Sequence, residues 1–345
     1  MIYFECDYHE GAHPEILKRL CDTNMEQTMG YGVDPHCENA RKIIRKVCGR
    51  EDVDVHFLVG GTQTNTTVIA SCLKPYQGVI SACSGHINVH ETGAIESTGH
   101  KVLSLESSDG KITAHAIKAY IDAHFADESV EHTVQPGMVY ISFPTENGTI
   151  YSKSELSEIY SVCREYDIPL FIDGARLGYG IAASNGDITL CDIASLCDIF
   201  YIGGTKIGAL FGEAVVITNE KLKHDFRYMI KQRGGMLAKG RLLGIQFETL
   251  FDNGLYFDIS RHAVDQALKI RDEMRNMGYS FLFESDTNQQ YPIFDDSKLA
   301  EISKKYTFCF WQKVSENKTA VRICTSWATT SENTEMLIRD IKALG

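Results

Sequence analysis

The chain has 345 residues, 43% hydrophobic and 23% charged, with seven prolines and no low-complexity stretch. That excludes a disordered or fibrous chain and allows one large and one small domain. Its net charge is −12, with no long Lys/Arg run and no apolar run near bilayer length, which argues against nucleic-acid and membrane partners. Eleven cysteines are scattered without a C-x-x-C, which reads as reduced thiols in a cytoplasmic protein. Met1–Glu5 shows no leader-like pattern, and without one the sequons at Asn65, Asn147 and Asn317 carry no weight.

Short apolar runs alternate with amphipathic segments, which predicts an α/β fold. The first strand is expected over Val53–Val59, then Gly60-Gly61-Thr62-Gln63 and a helix over Thr66–Leu73. A strand over Gly78–Cys83 and a helix over His86–Ser97 follow, then a strand over Met138–Phe143 and a helix over Ser152–Tyr166. Strands are expected over Pro169–Ile172, ending at Asp173, over Ile199–Ile202, ending in Gly203-Gly204-Thr205-Lys206, and over Gly212–Thr218. Beyond Gly235 the texture changes to two long helices, Leu237–Phe251 and Ile259–Met277. Short strands over Thr307–Gln312 and Val321–Cys324 and a last helix over Ser331–Leu344 complete a small α+β unit. The expected division is an arm over 1–20, a large domain over 21–235 and a small domain over 236–345. Trp311 and Trp327 are expected in the small-domain core.

Three signals sit at strand ends, where open α/β sheets bind ligands. In Gly60-Gly61-Thr62-Gln63 the glycines let the backbone approach an anion, and the following helix offers free N–H groups. Neither a P-loop nor a dinucleotide fingerprint is present, and a plain tight turn is the simpler reading of this loop alone. Asp173, in Phe171-Ile172-Asp173-Gly174-Ala175-Arg176, is a carboxylate at a buried strand end. It needs a cation or donors, and could instead cap a helix. Lys206 is framed by glycines, and burial there would favour the neutral, nucleophilic amine; a lone loop lysine is otherwise solvated. Together, in this order, a phosphate cradle, a carboxylate and a lysine are the parts that pyridoxal 5′-phosphate requires. His86, after the second strand, can supply an aromatic face.

On these segments, with Ser84-Gly85-His86-Ile87 and the N-terminal Asp7-Tyr8-His9-Glu10-Gly11-Ala12-His13-Pro14, the chain resembles the threonine aldolase and β-eliminating lyase family. The resemblance runs through nearly the whole length. It implies the fold type I architecture of aspartate aminotransferase: a large domain with a mostly parallel sheet flanked by helices, and a smaller C-terminal α+β domain. It implies that Lys206 carries the cofactor as a Schiff base, Asp173 pairs with the ring nitrogen and His86 stacks on the ring. Gly61, Thr62 and Gln63, with Thr205, would hold the phosphate. Arg176 and Arg322 would clamp the substrate carboxylate, and His132 would stand near the substrate hydroxyl. Cys6 and His90 depart from residues common in the family and bear on the substrate pocket. A homodimer or homotetramer is implied, and Lys231, Arg233, Gly234 and Gly235 read as a solvated junction or as a cation site reaching another subunit.

His9-Glu10-Gly11-Ala12-His13 spells the H-E-x-x-H of zinc proteases. Gly11 within it and Pro14 after it deny the helix that zinc binding needs, so no metal site is expected. His56, His100, His115 and His224 are expected to be surface or packing residues. The reaction implied is retro-aldol cleavage of L-threonine and related β-hydroxy-α-amino acids to glycine and an aldehyde, with His86 or His132 as base. β-Elimination on another amino acid is the alternative, and a catalytically idle relative keeping the cofactor is the non-enzymatic one.

Overall fold

A computed structural model describes residues 1–345. The chain opens with a two-residue strand, β1 (Ile2–Tyr3), and an arm leading into α1 (Pro14–Asp22). Helix α2 (Pro35–Cys48) is fixed at both ends by its sequence. Asp34 accepts from the Cys37 N–H at 2.9 Å, Pro35 fills the first turn, and Gly49 closes the helix at φ 65°.

Strands and helices then alternate: β2 (Asp54–Leu58), α3 (Gly61–Cys72), β3 (Gln77–Ala82), α4 (His86–Val89), β4 (Val102–Leu105), α5 (Ala114–Ala126), β5 (Gln135–Ser142) and α6 (Lys153–Glu165). β6 (Leu170–Asp173), α7 (Leu177–Ala183), α8 (Leu190–Ser195), β7 (Ile199–Gly203) and β8 (Glu213–Ile217) complete the series. The strands form one seven-stranded sheet in the order β2-β8-β7-β6-β5-β3-β4. Every neighbouring pair is parallel except the two that β8 makes. β6, β7 and β8 are buried at every residue, because helices cover both faces of a parallel sheet. The parallel strands share one edge at their C-terminal ends, and Ser142, Asp173 and Gly203 all stand there.

After α9 (Phe226–Gln232) come α10 (Arg241–Phe251) and the 22-residue α11 (Leu255–Asn276). The remainder is β9 (Gln289–Gln290), β10 (Ile293–Asp295), α12 (Asp296–Ile302), β11 (Tyr306–Thr307), β12 (Cys309–Ser315), β13 (Lys318–Cys324) and α13 (Ser331–Lys342). β10, β13 and β12 form an antiparallel sheet that β9 extends. β1 pairs in parallel with β11 and Phe4 enters the small core beside Phe294 and Leu337, so the N-terminus belongs to the C-terminal layer. Leu243, Phe247 and Leu250 of α10 and Ile259, Ala263 and Val264 of α11 pack into the large core, whereas Ile270 and Met274 of α11 pack into the small one. Helix α11 therefore spans both, and the apolar division falls inside it.

Three sequence expectations are corrected. The helix expected over His86–Ser97 stops at Val89, because Thr92 and Gly93 turn into the left-handed region at φ 54° and 70°. The single strand expected over Thr307–Gln312 is two, β11 and β12, separated at Phe308. Trp327 is half-buried against the large core and lies 5.5 Å from the His13 ring; Trp311 is also half-buried, edge-on to Tyr291 at 4.9 Å. His13 caps α1 in an extended conformation and the helix begins at Pro14, so His9 and His13 share no helical turn. No helix is long and apolar enough to cross a membrane.

Candidate active site

The C-terminal edge of the large sheet opens into a cavity of about 260 Å³. Gly61, Thr62, His86, Asp173, Arg176, Thr205 and Lys206 line it, as the sequence leads one to expect; Tyr8, Ser142, Glu146, Tyr201 and Glu213 line it too.

β2 delivers the chain to the N-terminus of α3. Gly60 is extended and no side chain caps the helix. The first backbone bond there is Thr64 N–H to Gly60 O at 3.0 Å, which leaves the N–H groups of Gly61, Thr62 and Gln63 without backbone partners. This is a place for an anion. The Gln63 side chain is turned elsewhere: its oxygen accepts from Val59 N at 3.2 Å and its amide donates to Arg233 O at 3.1 Å. Thr205 lines the cavity, but its hydroxyl donates to Glu213 Oε1 at 3.1 Å and accepts from Gly212 N at 3.0 Å.

Asp173 ends β6 and is 4% exposed. Oδ1 accepts from Tyr201 Oη at 2.5 Å and Ala175 N at 3.0 Å; Oδ2 accepts from Tyr140 Oη at 2.6 Å and Asn65 Nδ2 at 3.1 Å. Burial pushes this carboxyl up, but His86, the two tyrosine hydroxyls and the Ala175 N–H outweigh it and hold it below its ordinary value. Asp173 is thus an ionised carboxylate in an apolar sheet edge. The tyrosines come from the strands on either side. Ser142 of β5 lies opposite Asp173, which puts Tyr140, two residues back, on the same face. β7 runs beside β6 on the other side and brings Tyr201.

Lys206 follows β7 in a loop closed by Gly208 and Gly212, both at positive φ. Burial pushes its amine below the ordinary value and the nearby Arg176 pushes it the same way, against Asp7, Asp173 and Glu213. The net shift is toward the neutral amine. Glu213 at the start of β8 accepts from Gly204 N at 3.1 Å; burial drives its carboxyl up to about 8, with Lys206 opposing.

Arg176 is not free. Its Nε and Nη2 are held by Asp7 at 2.6 and 3.0 Å, and Asp7 also accepts from Asn288 Nδ2 at 3.0 Å. Asp7 is fully buried; burial alone would raise it, but Arg176 and then Lys206 draw it down to about 2. The arm thus ties the small domain to the large one at the rim of the site. Farther along, His13 N donates to Gly208 O at 2.8 Å, fastening the arm to the lysine loop. Arg322 of β13 has no carboxylate partner. It donates to Glu5 O at 2.9 Å and Gln289 Oε1 at 3.3 Å, lies 5.9 Å from the Trp311 ring centre, and keeps a buried Nε without a partner.

His86 opens α4. Its Nδ1 lies 2.7 Å from Glu91 Oε1, which also accepts from Asn65 Nδ2 at 2.7 Å. The exposed His90 has its ring 5.6 Å from that of His86, and burial followed by the His86 charge lowers it. Cys6 is half-buried beside Asp7, and burial pushes its thiol up. His132 does not join the site. It is exposed and precedes β5, whose other end, Ser142, lines the cavity; at ~3.3 Å per residue the strand alone separates them by roughly 20 Å.

Sequence reasoning missed Asp7, Asn65, Glu91, Tyr140, Glu146, Tyr201 and Glu213. The tyrosines left a signal, since a tyrosine inside a buried strand needs a partner for its hydroxyl. An anion cradle, a carboxylate held ionised and a neutral-leaning amine in one cavity fit the phosphate, ring nitrogen and aldehyde of pyridoxal 5′-phosphate.

Comparison with known proteins agrees. Residues 6–297 match the β-eliminating lyase family. The chain is similar to the low specificity L-threonine aldolase of Pseudomonas sp. (strain NCIMB 10558), 28% identical over 353 residues, covering 99% of this chain and 97% of that one. It is also similar to the solved threonine aldolase of Leishmania major, with a TM-score of 0.97, 41% identity, and 100% and 99% of the two chains covered. A Thermus thermophilus aspartate aminotransferase variant shares the fold alone, at a TM-score of 0.70 and 13% identity over 100% of this chain and 96% of that one. The chain belongs to the β-eliminating lyase family.

Proposed function

We propose that this protein is a pyridoxal-phosphate-dependent aldolase that cleaves L-threonine, and related β-hydroxy-α-amino acids, to glycine and an aldehyde. The observation that carries the reading is the pairing of Lys206, an amine pushed toward neutrality, with Asp173, a carboxylate held ionised by four donors in the same cavity. Bound at Lys206, the pyridoxal group supplies an electron sink for the bond that breaks at Cα.

The chain's own groups do the rest. Asp173 keeps a proton on the ring nitrogen, because its fixed negative charge makes loss of that proton unfavourable. The N–H groups of Gly61, Thr62 and Gln63 and the Thr62 hydroxyl hold the phosphate. His86, oriented by Glu91, covers the ring. Arg322 takes the substrate carboxylate as a forked donor, since no acidic side chain competes for it. Arg176 adds the nitrogen that Asp7 leaves free. Tyr8 lines the cavity, and Cys6, next to Asp7, and His90, next to the His86 ring, would shape the side-chain pocket from outside that lining.

A homodimer or homotetramer is part of the proposal, supported by the exposed apolar side chains Met29, Tyr31, Val33 and Tyr228 beside the loop that carries Arg233. A cytoplasmic location is supported by eleven cysteines that are all free. The reading is tested by incubating the holoenzyme with L-threonine and following acetaldehyde with an alcohol dehydrogenase. Acetaldehyde release that depends on added cofactor supports it; none from threonine or any other β-hydroxy amino acid overturns it.

A further inference from the structure

The aldolase reading needs a group that takes the proton of the substrate hydroxyl. His132, the sequence candidate, lies at the wrong end of β5. The right end of the same strand carries a different residue. The chain leaves β5 at Ser142, turns, and places Glu146 in the cavity wall.

The two oxygens of Glu146 are unequal. Oε1 accepts from Ser142 Oγ at 2.6 Å and from the His86 backbone N–H at 2.9 Å. Oε2 is shielded from solvent and meets no donor. A buried carboxylate oxygen without a partner is costly, so a fold that keeps one normally satisfies it with something that arrives. Both donors to Oε1 are neutral, so no salt bridge occupies the group. The residue is also held in place, because its carbonyl accepts from Tyr291 Oη, at 2.5 Å, across the domain boundary. His86 is less available, its Nδ1 being committed to Glu91 at 2.7 Å.

We propose that Glu146 is the catalytic base that takes the β-hydroxyl proton, through Oε2. The proposal rests on the aldolase reading above. As the proton moves to Oε2, the electron pair of the O–H bond becomes the second bond of the aldehyde carbonyl. The Cα–Cβ bond breaks and leaves its pair on Cα. One proton is then added at Cα, so threonine becomes glycine and acetaldehyde with no oxidant or reductant.

The surroundings suit a base. Burial pushes the carboxyl above its ordinary 4.5; the Ser142 hydroxyl opposes this and the Asp173 carboxylate adds to it. The titratable groups facing it are His86, Asp173, Tyr140, Tyr151 and, from the small domain, Tyr291. A carboxyl moved toward neutrality is a stronger base for an alcohol proton.

The test is Glu146→Gln in the holoenzyme. Cleavage of L-threonine should fall roughly 10²- to 10⁴-fold, while the affinity for glycine, which has no hydroxyl, changes by less than about threefold as read from the bound cofactor's absorbance. The acid limb of the wild-type kcat profile should be absent in the variant. Cleavage within about threefold of wild type overturns the proposal, and so does a parallel loss of glycine binding and cleavage, which marks a structural role. If the Gln variant does not hold the cofactor, Glu146→Asp decides. Retained cofactor with cleavage at least about tenfold slower supports the role of Oε2; wild-type cleavage by that variant overturns it. A wild-type enzyme that releases no aldehyde refutes the aldolase reading itself, before any variant is made.

Discussion

Asp7→Asn removes one partner of a buried pair and leaves its size nearly unchanged. The Asp7 carboxylate holds two Arg176 nitrogens at 2.6 and 3.0 Å and one Asn288 nitrogen at 3.0 Å. Its fall from an ordinary 3.8 to about 2 corresponds to about 2 kcal/mol in favour of the charged form. Removing that charge also strands the Arg176 guanidinium, and breaking a buried pair in this way costs about 3–5 kcal/mol. With an unfolding entropy of about 2.1 cal/mol/K per residue over 345 residues, Tm should drop by about 4–7 °C at neutral pH. The pH dependence has a defined sign. A depressed carboxyl stabilises fully above its unfolded value and loses that contribution as pH falls through its folded value, so the wild type should lose it between about pH 4 and pH 2, and the variant should lack that component. Calorimetry of both proteins across pH measures this. A variant Tm within about 1 °C of wild type at neutral pH would refute the argument, because Arg176 would then have compensation the geometry does not contain.

Lys206→Ala should abolish the visible absorbance of the bound cofactor and cut turnover by several orders of magnitude, since the covalent anchor is gone; borohydride reduction that still labels another lysine would reassign the anchor. Arg322→Leu should raise KM for amino acids by roughly 10- to 100-fold, the worth of hydrogen bonds to a charged group, with the cofactor spectrum unchanged. Loss of cofactor in that variant would move Arg322 to the phosphate. Tyr140→Phe and Tyr201→Phe each remove one donor to Asp173 and should weaken cofactor binding by roughly tenfold or more in equilibrium dialysis. Unchanged binding in both would mean that Asn65 and the Ala175 N–H suffice.

Much of the large domain was legible because buried parallel strands announce themselves as short apolar runs, and Asp173 and Lys206 stand where two of those runs end. The Gly60–Gln63 loop was legible for the same reason. α2 and α5 went unassigned although Asp34-Pro35 and Thr113 mark their starts; the buried row of α2, Cys37, Ala40, Ile44 and Cys48, keeps helical spacing but holds only one large aliphatic side chain, a weak apolar signal. The arm was harder. Asp7 meets Arg176 across 169 residues, and nothing local in Asp7 distinguishes a buried ion pair from a solvated aspartate. His132 failed for a reason the sequence did contain: a residue preceding a parallel strand lies at the edge opposite the ligand. Glu146 lies just past the end of that strand, and only side-chain packing shows that one of its oxygens has no partner. Gln63 and Thr205 are at the expected loops, but neighbouring backbone and Glu213 have claimed their side chains.

The account stands most directly on how threonine is divided. Nuclear magnetic resonance of the reaction with uniformly ¹³C-labelled L-threonine follows glycine, acetaldehyde and 2-oxobutyrate together. The account predicts glycine and acetaldehyde in equal amounts with negligible 2-oxobutyrate and ammonia. 2-Oxobutyrate and ammonia appearing faster than glycine would contradict it and make β-elimination the reaction of this site.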